Sequence, residues 1–457
     1  MMRNFTTLTI PRGEDLIFGR APHPVDCGFG LKLGNGEVYP EINFTLPVMS
    51  INTTTWNEVV AHYDEIGRMI VRGARRLQLP GLVVEFEHLP PMTEHPEWGA
   101  EITGVLARHL KQAFETSGLR SALRVTPVDI RDAVRPPVLR EGEEWNSMRR
   151  SFECCASAGA QILSVESVGG KEVHDEALMY GDVAGIIFAL GVLAPRDMGF
   201  LWDEIVKVCS AQAIVPGGDS ACGFANTAMQ LASQSLLPGV LAAVVRAASS
   251  VRSLVAVEHG ALGPSKDCAY EGPVLKAVAG IPISMEGKSA SCAHFSPVGN
   301  VAAAMCDVWS NESVQNIRLL SGFAPEAYLE LLAYDCRLFN QSLKTGGERF
   351  LQNMLVESDI HLSPQAAVLS PASTIRIAGA IVRETDAYHR TIAAAREAHA
   401  IIREAVDQEH LDLDKREVHW LERIDRGLDG LPDKEETLTD RMADTYERLF
   451  KKESYGL

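Results

Sequence analysis

Short apolar or β-branched runs recur along the first two-thirds of the chain, separated by stretches of helical periodicity. The runs are EINFTLP from Glu41, LVVEFE from Leu82, ALRVTPVDI from Ala122, QILSVES from Gln161, GIIFALG from Gly185, AIVPGGDS from Ala213, SLVAVEHG from Ser253 and IPISMEG from Ile281. They are continuous rather than alternating, as strands buried on both faces should be. Between them, stretches such as GAEITGVLARHLKQAFETSG and ANTAMQLASQSLLPGVLAAVVRAAS carry the helical period. Strand–helix alternation repeated eight times over about 250 residues predicts an α/β fold of the (β/α)8 TIM-barrel type. An open, doubly wound sheet has the same alternation, because sequence does not show closure.

After about Asn300 the strand signals stop. NVAAAMCDVW, PEAYLELLAYDCRLFNQSL and the long ASTIRIAGAIVRETDAYHRTIAAAREAHAIIREAV all have helical spacing. The expected division is therefore a barrel over residues 1–299 and a C-terminal helical region over 300–457. The final stretch, DLDKREVHWLERIDRGLDGLPDKEETLTDRMADTYERLF, is charged and sparsely apolar. It predicts amphipathic helices laid over the barrel or against a partner.

Composition narrows the function classes. The chain has 457 residues, 46% of them hydrophobic, which is ample material for a large core. A net charge of -17 argues against nucleic acid or an anionic membrane as a partner held by bulk attraction. No secretory signal is visible in MMRNFTTLTIPRGED, and VAGIIFALGVLAP is too short by itself to span a bilayer. Nine cysteines, an odd number scattered along the chain, fit a reducing cytoplasm rather than a disulfide framework. The neighbours Cys154 and Cys155 are expected to face the interior of a helix as small apolar groups.

The informative polar residues sit where strands end. SVES places Glu166 at the tip of the fourth run; PGGDSACGFAN places Asp219 and Cys222 beyond the sixth; Glu258 and then GPSKDCAYEGP, with Cys268, follow the seventh. In a barrel these ends share the face that carries active sites, so Glu166, Cys222 and Cys268 would converge. Two thiolates and a carboxylate suit zinc, with a fourth position open for chemistry. SCAHF, with Cys292 and His294, competes as a ligand source.

The segments LSVESVGGKEV, GDSACGFANTAM, SLVAVEHGALGPSKDCAYE, SMEGKSASCAH and DVWSNESV, with PEINF, PEWGAE and LAYDCRLFN, together resemble the methanol–corrinoid protein methyltransferases. The resemblance covers nearly the whole chain and rests on many segments matching in order. It implies a TIM barrel with extra helices and one zinc bound through Glu166, Cys222 and Cys268. It also implies a corrinoid delivered by a separate protein, methanol as methyl donor, and a homodimer within a hetero-oligomer. One position departs: Ala221 stands beside Cys222 where an acid is expected.

Hydroxide is a poor leaving group, so the implied chemistry calls for Lewis acidity on the methanol oxygen and a proton donor to it. Glu85, Glu87, His88, Asp219 and Glu258 are candidates by their strand-end positions. The chain contains DIHLSP, with Asp359 and His361, but Pro364 replaces the glycine of the cobalamin-binding pattern D-x-H-x-x-G. The match is read as chance, leaving the corrinoid to a partner. Two alternatives share the sequence features: another oxygen-linked methyl donor, or a non-catalytic subunit with a structural zinc.

Overall fold

The computed structural model describes residues 3–46, 48–288, 290, 296–314, 318–319 and 322–457. Its strands are β1 (Arg20–Cys27), β2 (Leu31–Asn35), β3 (Tyr39–Thr45), β4 (Leu82–Glu87), β5 (Ser121–Thr126), β6 (Ile162–Val165), β7 (Val215–Asp219), β8 (Ser284–Glu286) and β9 (Val308–Val314). A further pair of two-residue strands, β10 (Arg318–Leu319) and β11 (Gly322–Phe323), forms a short antiparallel ladder. The central sheet is parallel throughout and has seven strands in the order β7-β6-β5-β4-β3-β9-β8.

Its two edges are joined by the extended segment 262–265. Leu262 and Gly263 donate their N–H groups to Pro216 and Gly217 at 2.8 Å each, and Ser265 bridges in parallel to Ile283. A small residue makes that approach possible. A Cβ on Gly218 would lie 3.0 Å from the Ser265 Cα. With this eighth stave the sheet closes as a (β/α)8 barrel, and the open-sheet alternative drops out.

Side chains fill the barrel in layers, because alternate residues of each strand point inward. At the base Tyr39, Val83, Ala122, Ile162, Val215 and Val308 pack against Cys27, Leu31 and Leu33 of the β1–β2 hairpin, which plugs that end. Two residues further up β3 and β5, Glu41 and Arg124 form a fully buried ion pair at 2.7 Å. Along β4 the same period of two carries the chain from Val83 through Glu85 to Glu87 at the opposite mouth.

Six of the eight expected strand runs lie in the sheet, and two are corrected. GIIFALG belongs to a continuous helical stretch, Val183–Gln212, and SLVAVEHG is the end of the helix Gly239–Glu258. In that second helix every residue from Val240 to Glu258 is buried, so it shows no polar face from which a helical period could be read. Both helices are long and apolar enough to cross a membrane, so the bilayer argument from VAGIIFALGVLAP is corrected too. In this fold 78% and 100% of their apolar windows lie inside the protein.

The strand signals also do not stop at Asn300. β9 pairs with β3 along its whole length, so the barrel runs past the expected boundary at residue 299. The C-terminal helices clamp the barrel from outside. Glu417 accepts the Gly239 and Val240 N–H groups at 2.8 and 2.9 Å, placing a carboxylate on the positive end of the long buried helix. Arg390 pairs with Glu258 at 2.6 Å, and the Tyr455 hydroxyl accepts the Gly170 N–H at 2.9 Å.

The hairpin plug is apolar and Leu33 is fully buried in it. Leu33→Ala is expected to lower the unfolding free energy by about 3 kcal/mol through the cavity it opens, measured by urea denaturation.

Candidate metal centre

Three loops at the C-terminal ends of the strands bring the expected ligands together. Glu166 directly follows β6, and its loop is gripped from behind. Asp219 accepts the Ser167 N–H at 3.3 Å, and Asp129 accepts the Val168 N–H at 3.0 Å. Cys222 opens a π-helical turn, Cys222–Asn226, three residues beyond the end of β7; such turns are frequent at functional sites. Cys268 follows the stave 262–265. The donor atoms of Glu166, Cys222 and Cys268 all lie within 4.8 Å of one another. The Cys268 thiol donates to Glu166 Oε1 at 2.8 Å, and Asn226 Nδ2 donates to the Cys222 sulfur at 3.3 Å.

The charge beneath them centres on one ammonium. Lys266 Nζ lies 3.0 Å from Glu85, 3.2 Å from Asp267, 3.5 Å from Glu166 and 4.0 Å from Glu87. Burial alone would lower Lys266, but Asp267 and Glu85 hold its pKa well above the usual lysine value. With Arg124 committed to Glu41, two cations face five carboxylates: Glu41, Glu85, Glu87, Glu166 and Asp267.

The excess negative charge gathers at the mouth, where it acts on the thiols. The hydrogen bond with Cys268 lowers Cys222, but burial and the Glu166 charge outweigh it and push the thiol up to about 12. The hydrogen bond with Cys222, burial and the charges of Cys222 and Glu166 raise Cys268 well above its ordinary value. The two thiols, crowded against each other and the Glu166 charge, thus retain their protons. A divalent cation would replace those protons, and sulfur donors select a soft or borderline one. The donor set fits zinc, with three protein ligands and room for a fourth.

A cleft of about 380 Å³ opens beside the cluster, lined by Glu87, Thr126, Asp129, Glu166, Lys171 and Gly223 among others. Of the five residues considered as proton donors, Glu87 alone lines it. Burial, opposed by Lys266 and reinforced by Glu166, raises the Glu87 pKa. Glu85 lies deeper: burial, opposed by Lys266 and reinforced by Asp267, pushes it up to about 8. Asp219 is fully committed, accepting from Trp202 Nε1 at 3.1 Å and pairing with Arg252 at 3.0 Å.

His88 sits behind the barrel wall against Thr93 at 3.1 Å and Cys155 at 3.6 Å, and burial holds its imidazole down at about 3. Glu258 is corrected. It ends a helix rather than a strand, and its carboxylate is spent on Arg390.

Cys155 is buried as expected, whereas Cys154 is only half-buried, and the described cysteines are all free. Cys292 and His294 lie outside the described residues. In DIHLSP, Asp359 accepts the Asn300 N–H at 2.7 Å and His361 stacks on His410, a structural use of both residues. Sequence reasoning passed over Lys266, Asp129 and Glu271. Lys266 and Asp267 immediately precede Cys268, and a charged pair beside a ligand was the available signal for Lys266.

Fold and site together define a closed parallel (β/α)8-barrel protein with a two-thiol, one-carboxylate centre at the strand C-termini. Residues 2–456 match the family described as methanol–cobalamin methyltransferase B subunit, and the chain belongs to that family. It is 34% identical over 461 residues to a methanol–corrinoid protein co-methyltransferase of Methanosarcina barkeri, covering 99% of each chain. It also superposes on a chain of the crystal structure of the methanol:cobalamin methyltransferase complex from the same species. The TM-score is 0.96 and the identity 34%, with 100% of both chains covered.

Because Glu258 serves the Arg390 contact and not the mouth, Glu258→Ala is expected to cost about 3 kcal/mol of stability by stranding a buried guanidinium. Turnover per folded molecule should be unchanged, read by thermal melts beside methyl-transfer assays.

Proposed function

We propose that this chain transfers the methyl group of methanol to Co(I) of a corrinoid carried by a separate protein, using one zinc held by Glu166, Cys222 and Cys268. The observation that carries the reading is the convergence of those three donors at the barrel mouth beside an open cleft, in a member of the methanol–cobalamin methyltransferase B subunit family. The relatives named above supply the substrate class and the partner class; the donor set supplies the metal.

In the reaction the methanol C–O bond breaks and its electron pair leaves with oxygen. A carbon–cobalt bond forms with both electrons from Co(I), and one proton converts the departing hydroxide to water. Zinc, when bound, supplies Lewis acidity to the hydroxyl oxygen. Three anionic ligands make that acidity weaker than in a site of three neutral histidines, so the proton matters.

Glu87 is the residue placed to hold it: the carboxyl lines the cleft, and its raised pKa keeps it protonated to higher pH than a free glutamate. Asn43 Nδ2 donates to Glu87 Oε2 at 3.0 Å and orients the group. Lys266 limits the negative charge that Glu85, Asp267 and Glu166 would otherwise place beneath the site. The strand-end face, where Glu87, Thr126 and Glu166 line the cleft, is the side from which a corrinoid ring would approach.

Purified protein should hold about one zinc per chain by elemental analysis. Cys222→Ala and Cys268→Ala should lose both zinc and methyl transfer while keeping circular dichroism, because a barrel of this size buries its core without the ion. Glu166→Gln should retain some zinc through its amide oxygen and transfer poorly. Protein purified without chelator and free of transition metal sinks the reading.

Glu87→Gln is expected to slow methyl transfer to reduced cobalamin by about 100-fold. In the wild type the rate should fall as pH rises through the raised Glu87 pKa, because the donor loses its proton, and the variant should lack that decline. An unchanged pH profile in Glu87→Gln removes Glu87 from the role.

A further inference from the structure

The Cys222 loop and the Cys268 loop come from different staves, yet one buried carboxylate spans them. Glu271 lies three residues after Cys268 and is 2% exposed. Its Oε1 accepts the Ala221 N–H at 2.7 Å and the Ser253 hydroxyl at 2.8 Å. Its Oε2 is buried with no hydrogen-bond partner among the described residues. Ala221 immediately precedes Cys222, and its carbonyl accepts the Phe224 and Ala225 N–H groups at 2.9 Å each. The residue Glu271 grips is therefore the one from which the π-helical turn of Cys222 starts.

The gripping side is itself stiff. Tyr270, between Cys268 and Glu271, is held at φ 59, a left-handed conformation that costs energy for a residue with a Cβ. Arg246 lies over its ring at 4.9 Å and donates to the Ala269 carbonyl. A buried carboxylate with one oxygen unpaired costs stability, and an apolar side chain would serve packing better. A role other than packing accounts for a carboxylate there.

We propose that Glu271 is a positioning residue of the metal centre, tying the Cys222 turn to the Cys268 loop so that the two sulfurs face one point before an ion arrives. The inference rests on the reading that Glu166, Cys222 and Cys268 hold that ion. It also gives Ala221 its use: the backbone N–H at this position, not the side chain, is what the centre requires.

The test uses full-length protein stripped of metal and loaded with Co²⁺. The readouts are the thiolate charge-transfer and d–d absorption bands and the rate of cobalt release into excess chelator. Glu271→Ala should release cobalt at least about tenfold faster and shift the d–d bands, with circular dichroism retained. Glu271→Gln keeps an oxygen acceptor for the Ala221 N–H and should restore both readouts to near the wild type.

Wild-type bands and release in Glu271→Ala overturn the proposal, as does a Glu271→Gln variant as defective as Glu271→Ala, which would assign the effect to charge instead of the amide grip. If Glu271→Ala does not fold, Ser253→Ala decides. It frees the carboxylate from its second tether and should speed release, and an unchanged rate overturns the proposal. Wild-type protein that develops no thiolate band with Co²⁺ fails the metal reading and this inference together. Wild-type bands with an unaffected Glu271→Ala fail this inference alone.

Discussion

Like charges forced together in a dry barrel are the constraint on which the rest of this structure depends. Glu166 and two cysteines meet at the mouth, above Glu85, Glu87 and Asp267, and among the described residues Lys266 is the one ammonium within reach of all four carboxylates. Such a cluster would be costly as a stability device, because each buried charge loses its hydration and repels its neighbours. It makes sense as a site in which negative charge is kept in reserve for a cation. The shortage of positive charge is a property of the cluster, not of any one residue: Arg124, in register with Glu85, is already spent on Glu41.

Holding the cluster open against that repulsion falls to backbone amides. Asp129 and Asp219 take the N–H groups of Val168 and Ser167 in the Glu166 loop, and Glu271 takes that of Ala221 beside Cys222. Two of those acids are braced by fully buried guanidiniums: Asp129 by Arg131 and Asp219 by Arg252. The ligand loops are thus aimed by hydrogen bonds anchored in the barrel and its helices. Stability comes from elsewhere, from the apolar plug at the other end and from C-terminal helices clamped by Glu417 and Arg390.

The strands that were legible in the sequence are those whose two faces are both apolar or nearly so, such as LVVEFE of β4. The misread segments fail for a physical reason. SLVAVEHG is apolar on every side because its helix is buried on every side, and a period cannot be read without a polar face. β9 was passed over because its run, VWSNESV, follows a buried valine and tryptophan with the buried polar residues Ser310 and Asn311, which break the apolar pattern. The stave 262–265 was invisible because it is too short for a pattern, and its close approach to β7 relies on the bare backbone of Gly218.

The sequence by itself showed the parallel α/β class and put Glu166, Cys222 and Cys268 among the candidate donors, with Cys292 and His294 beside them, because strand ends and residue chemistry are local properties. Tertiary structure alone decided which carboxylates face the donors. Glu87 reaches the cleft, Glu85 lies under Lys266, Asp219 is spent on Arg252, and Glu258 sits on Arg390 at the end of a helix. All four look alike along the chain. What separates them is the partner each meets after closure, and burial, distance and countercharge, the quantities that decide a carboxyl's work, exist only once the staves are joined.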